Sequence, residues 1–218
     1  MNFNSIKKIF ASALKSKGFI PLSGSKLFIC DRNFYLIFAE LQDCHSIGFF
    51  FSIGIKFLWS DCTILSYDYT EGSDSRVYIP KNYNSPFGAT LYDSETLDDD
   101  IDLILKETDR RIAIYNELSD ILILENKLKT RHDFVAITSP DIKSRDVNHA
   151  ITLALLNHSD EALIIFENMA SVNKTAHELI NVYNDEFELR KRLIELINQS
   201  RNVLAKRYKV SLENINTL

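Results

Sequence analysis

With 218 residues, 45% hydrophobic and 25% charged, and only four prolines and six glycines, the chain is neither disordered nor of low complexity. Its net charge of −5 argues against nucleic acid as a partner, because phosphates seek clustered Lys and Arg. No run reaches the roughly 18 apolar residues that a membrane-spanning helix needs, and the longest, FFFSIGIKFLW, is interrupted by Lys56.

The first predicted element is a helix over residues 4–17. Ile6, Ile9, Phe10, Ala13 and Leu14 recur at the helical period, with Lys7, Lys8, Lys15 and Lys17 elsewhere on the wheel. Asn4 is placed to cap its start and Gly18 to end it. This beginning lacks the continuous apolar core of a secretory signal. Cys30, Cys44 and Cys62 are odd in number, form no C-x-x-C and lie in apolar runs, as reduced thiols of a cytoplasmic protein do.

Next come runs rich in aromatic and β-branched residues: KLFICD, FYLIFAELQ, HSIGFFFSIGIKFLW, CTILSYDY and RVYIP. Short polar links at residues 31–33 and 42–46 suit hairpins, so an antiparallel meander is expected. In the third run, Phe49, Phe51, Ile53, Ile55, Phe57 and Trp59 share one face, expected against helices. Phe50, Ser52, Gly54, Lys56 and Leu58 share the other, expected to be partly solvated. Gly54 predicts a bulge or the close approach of another backbone.

Residues 82–96 read as a loop. Thr96 and Asp99 resemble a capping box opening a helix, with Ile101, Ile104, Leu105, Ile112, Tyr115 and Leu122 as its apolar stripe. It is expected to run to about residue 118 and to break near Ser119 and Asp120. Residues 132–140 read as a short strand or an extended connection. From Ser144 onward the pattern is helical, over residues 144–158, 159–171, 174–184 and 185–209. The expected class is α+β: an antiparallel meander packed by the N-terminal helix and a long mid-chain helix, followed by an all-helical part. The division that fits best places an α+β domain at residues 1–140 and a helical subdomain at 141–218.

Local chemistry is sparse. There is no G-x-S-x-G, P-loop, G-x-G-x-x-G or H-E-x-x-H, so the sequence assigns no catalytic, cofactor-binding or metal-binding residue. Cys44 and His45 are adjacent, and strand neighbours point to opposite faces, so they make a poor nucleophile and base. His132, His149, His158 and His177 have no spacing that puts two imidazoles on one helical face. Ser159 and Asp160 sit where a helix begins. Charge is uneven: residues 1–60 carry seven Lys or Arg against three Asp or Glu, residues 61–130 seven against fifteen, and residues 131–218 eleven against twelve. The acidic middle holds Asp98 to Asp100 and Asp102. Carboxylates there oppose the positive end of a helix dipole, and they also form a patch suited to a basic partner. In the last helix Arg190, Lys191, Arg192, Arg201, Lys206 and Arg207 are interspersed with Glu188 and Glu195, which predicts i,i+4 ion pairs rather than a basic docking stripe.

Phe10, the LKSKGF stretch from Leu14 to Phe19, KLFIC, Leu41 with Gln42, and FFFSIGI from Phe49 to Ile55 form an ordered set: helix, Gly-Phe, strand, a strand ending in Leu-Gln, and an aromatic strand with Ile-Gly. In this the first sixty residues resemble the DUF4304 domain family. The resemblance implies an α+β fold with an antiparallel sheet under helical cover, supplies no catalytic residues, and brings in a role in bacterial toxin–immunity gene neighbourhoods.

The expected function is a non-enzymatic protein-binding module, in its concrete form a bacterial immunity protein. It would block a basic toxin domain with Asp93, Glu95, Asp98, Asp99, Asp100 and Asp102. One alternative is an adaptor or homo-oligomer that uses the face Leu189, Leu193, Leu196 and Val203. Another is a small-molecule enzyme with a dispersed site near Trp59, Tyr67 and Tyr69.

Overall fold

The computed structural model describes residues 2–22, 26–44, 47–60, 62, 65–71, 75–77, 89–135 and 142–218. Helix α1 (Phe3–Lys15) leads into a five-stranded antiparallel sheet: β1 (Ile20–Pro21), β2 (Leu27–Arg32), β3 (Tyr35–Cys44), β4 (Gly48–Phe57) and β5 (Thr90–Leu91). Each strand pairs with its neighbour in the chain, so the sheet is the expected meander. Helices α2 (Leu97–Glu117), α3 (Ile121–Val135), α4 (Ile142–Leu155), α5 (Ser159–Met169), α6 (Lys174–Leu179) and α7 (Glu186–Tyr208) follow.

α1 forms where its stripe predicts, burying Ile6, Phe10 and Leu14. Its cap is Asn2, which accepts from the Ser5 N–H at 3.0 Å, not the expected Asn4, which lies inside the first turn. Gly18 takes φ +84°, and the Phe19 N–H turns back to the Leu14 carbonyl at 3.1 Å, closing the helix end. The Phe10 ring stacks on Phe51 with centroids 4.7 Å apart and meets Phe49 edge-on at 5.8 Å, which places α1 on the expected face of β4.

The second face of β4 departs from expectation. Lys56 is 3% exposed, and Ser52 and Leu58 are buried with it. The cover comes from residues 65–71 and 75–77, which follow β4 along the edge away from β3. The Ile53 N–H donates to the Ser75 carbonyl at 2.9 Å, the Ile55 N–H to Tyr69 at 2.8 Å, and the Val77 N–H to Phe51 at 2.8 Å. From CTILSYDY and RVYIP the described residues thus contribute single bridges at Tyr69 and Arg76 rather than strands; residues 63–64 and 78–80 lie outside the described set. Tyr67 stacks on Phe38 at 4.1 Å across Gly54. A Cβ at Gly54 would stand 2.4 Å from the Tyr67 ring and 2.9 Å from the Tyr69 carbonyl oxygen, so the close backbone approach expected there is real.

α2 and α3 break at Ser119 and Asp120 as expected, with the Asp120 carboxylate capping the Leu122 and Ile123 N–H groups at 2.9 and 3.2 Å. Leu122, expected on the α2 stripe, instead lies exposed at the start of α3. Of residues 132–140, the described 132–135 are helical and the rest lie outside the described set. α6 ends at Leu179, five residues before the expected 184. One apolar cluster takes in Phe10 of α1, Phe51 of β4, Leu153 of α4 and Leu193 of α7. Hydrogen bonds tie the residues just after β4 to the helices: Trp59 Nε1 donates to Asn148 Oδ1 at 2.8 Å, the Thr175 hydroxyl to the Trp59 carbonyl at 3.2 Å, and the Ser200 hydroxyl to the Ser60 carbonyl at 3.3 Å.

Candidate protein-docking face

β5 delivers the acidic residues to one corner of the molecule. It pairs with the first residues of β4, and the Tyr92 N–H then donates to the Ile47 carbonyl at 3.0 Å. A turn through Ser94 leads into α2. The expected capping box does not form: Thr96 is the N-cap, but its side chain caps no backbone N–H. Its hydroxyl reaches Asp100 Oδ2 at 3.3 Å instead, and Asp100 is buried, with its Oδ1 unpartnered. Asp100 is therefore not part of the surface. The helical period accounts for this, since Asp100 lies three residues after the buried Leu97 and four before the buried Ile104.

Asp93, Glu95, Asp98, Asp99 and Asp102 are all exposed, and none has an ion pair among the described residues. Asp98 and Asp99 sit in the first turn of α2, where the N–H groups favour negative charge. The fold adds one carboxylate that sequence spacing does not place there. Asp43, exposed near the end of β3, accepts the Tyr92 hydroxyl at 2.7 Å. Burial, and then this neighbouring carboxylate, push the Tyr92 hydroxyl above its ordinary range, so it stays a donor. Ile47, 51% exposed, and Leu103, 43% exposed, are apolar residues in the same corner, the first through its bond to Tyr92 and the second on the α2 face of Asp99 and Asp102.

Four of the six basic residues of α7 meet a different fate. Arg190 pairs with Glu186 at 3.0 Å, Lys191 with Glu188 at 3.4 Å, and Arg192 with both Glu195 at 2.6 Å and Glu178 at 2.7 Å. Arg201, 1% exposed, turns inward. Its two terminal nitrogens grip Asp31 in a bidentate pair, both at 2.6 Å, and also donate to the carbonyls of Asn33 and, at 2.8 Å, Glu213. Leu189, Leu193 and Leu196 are buried in the core, so the apolar face expected to be free for an adaptor or a second copy is already used; of that set only Val203 is exposed.

The other candidates resolve separately. His149 Nε2 lies 3.1 Å from Glu125 Oε1, a half-buried pair between α3 and α4. His158 faces Glu161 at 3.6 Å at the surface, His177 is exposed on α6, and His45 and the His132 side chain lie outside the described residues. No group of three His, Cys, Asp or Glu suited to a metal ion occurs among the described residues. No disulfide joins Cys30, Cys44 or Cys62. Trp59 lines a cleft of about 250 Å³ with Ser60, Cys62, Thr175, Glu178 and Ser200. Tyr67 and Tyr69 do not join it: Tyr67 lies on Phe38, and the Tyr69 hydroxyl donates to Glu71 at 3.2 Å. A buried ion pair, Lys56 Nζ to Asp68 Oδ1 at 3.1 Å, pins residues 65–70 to β4, with the Phe57 N–H also donating to Asp68 at 2.9 Å. Burial raises the Asp68 carboxyl above its ordinary value, against the lowering effect of Lys56.

No family model, curated protein or solved structure matches the chain.

Proposed function

We propose that the chain is a non-enzymatic protein-binding module that engages a basic partner through the acidic end of α2, in its concrete form a cytoplasmic bacterial immunity protein that neutralises a toxin domain. One observation carries the reading: the exposed carboxylates Asp93, Glu95, Asp98, Asp99 and Asp102 form no ion pair among the described residues, whereas Arg190, Lys191, Arg192 and Arg201 of α7 are paired within the molecule. Ile47 and Leu103 add apolar area within an acidic surround, the composition of an interface with a polar rim. Such recognition needs a complementary field and shape, not an activated nucleophile. The likeness of the first sixty residues to the DUF4304 family supports the same reading, and three cysteines without a disulfide suit a reducing compartment.

The test is growth of cells that express a toxin domain encoded beside this gene, together with either the wild-type chain or the triple variant Asp98→Asn, Asp99→Asn, Asp102→Asn. Protection by the wild type and its loss in a variant with unchanged circular dichroism is the expected result. Undiminished protection by the variant removes the α2 face from the reading, and failure of the wild type to protect removes the immunity role.

A further inference from the structure

The segment that follows α7 is hydrogen-bonded to the side chains of that helix through its main chain. α7 ends at Tyr208, and Lys209 then adopts the left-handed conformation at φ 55° and ψ 44°. Beyond it the chain runs back along the helix. Arg201 Nη1 donates to the Glu213 carbonyl at 2.8 Å. The Asn198 amide grips Ile215 on both sides, donating to its carbonyl at 3.0 Å and accepting its N–H at 2.9 Å. Arg190 Nη1 donates to the Leu218 main-chain oxygen at 2.9 Å. Helix rise makes the distance from position 201 to 190 about 16 Å, and an extended chain covers about 16 Å from 213 to 218. The two lengths agree, so the segment lies extended and antiparallel to α7. Val210, Leu212, Ile215 and Leu218 pack partly buried against the core.

Two features make this segment exchangeable. Its four hydrogen bonds to α7 side chains all end on main-chain atoms, so the groove reads an extended strand without regard to which copy supplies it. Its tether is a single lysine in a conformation that a side chain disfavours. Arg201 is also fixed by Asp31 and Asn33, so the groove keeps its shape when the segment leaves.

We propose that the groove formed along α7 by Arg190, Asn198 and Arg201 is an interaction surface for residues 210–218 of a second copy, and that two copies associate by exchanging this segment reciprocally. Return of Lys209 to the helical conformation extends α7 and carries the segment away from its own groove. The same hydrogen bonds then form between copies, and only the hinge differs between the two forms.

The hinge supplies the test, in the full chain. Lys209→Gly accepts the left-handed conformation and favours the closed monomer. Lys209→Val, β-branched, resists it and favours exchange. Light scattering across a dilution series is expected to give an association constant for Lys209→Val roughly a hundredfold above that of Lys209→Gly, about tenfold for each of two hinges. Hydrogen exchange is expected to show the Ile215 amide still protected in the Lys209→Val dimer. Equal constants for the two variants, monomers throughout, or a Lys209→Val chain in which Ile215 loses protection without dimer formation each overturn the proposal. The α2 face is untouched by either substitution, so this result is independent of the toxin assay.

Discussion

The acidic end of α2 and the basic length of α7 present like densities of charge in sequence, but the fold treats them oppositely. In α7, Arg190, Lys191 and Arg192 pair along the surface, and Arg201 turns inward to reach Asp31. At the start of α2 only Asp100 turns inward, and its neighbours face solvent unpaired among the described residues. A run of charge therefore says little about docking until its partners are known. What distinguishes the two regions is whether the counter-charge is already in the molecule.

A graded series of substitutions sharpens that comparison. The wholly buried pair sets its upper limit. Lys56→Met leaves the Asp68 carboxylate without its counter-charge and is expected to cost about 3–5 kcal/mol at neutral pH, read by urea unfolding. The pH dependence has a definite sign. The folded-state Asp68 carboxyl is raised above its ordinary 3.8, so the stability tied to it is present below that value and is lost as pH rises through the folded value. Without Lys56 the folded value climbs further. The variant is thus expected to lose more stability than the wild type between about pH 4 and neutrality.

Arg201→Met comes next. It strands the Asn33 and Glu213 carbonyls and frees Asp31, whose side chain is 37% exposed and rehydrates, so the expected loss is about 2–4 kcal/mol. A loss below about 1 kcal/mol would make Arg201 no different from the exposed cations of α7 and would break the contrast drawn above. The triple Asp98, Asp99, Asp102 to Asn variant should cost no more than about 1 kcal/mol, because weaker helix-dipole interaction is offset by relieved repulsion. Its large effect is reserved for partner binding. Smallest is Lys191→Ala, whose exposed pair with Glu188 is worth at most about 0.5 kcal/mol, visible only in careful denaturant titrations.

Much of the fold is written in local periodicity. The stripe of α1, the alternation in β2 to β4 and the break at Ser119 and Asp120 all follow from patterns within a few residues. The cover on the second face of β4 does not, because residues 65–71 and 75–77 have no repeating period; the first of these stretches is placed by Asp68 finding Lys56 and Tyr67 finding Phe38. Arg201 is one of six cations on its helix by composition, and nothing local marks it as buried. Its partner Asp31 stands 170 positions away. At the acidic face, spacing groups the exposed carboxylates, and the helical period sets Asp100 apart from them on the buried face of Leu97 and Ile104. Asp43 and Ile47 join that corner only because β5 pairs with the start of β4, a contact that no local pattern announces.

The meander and the Asp31–Arg201 latch also set a timetable for synthesis. β2, β3 and β4 need only their chain neighbours, so they can zip together soon after residue 57 leaves the ribosome. Asp31 must wait until position 201 has been made before its counter-charge arrives. Protease digestion of ribosome-stalled chains is expected to find the sheet resistant well before the β2–β3 turn becomes so. A nascent chain stalled short of position 201 would thus carry a finished sheet with an open clasp.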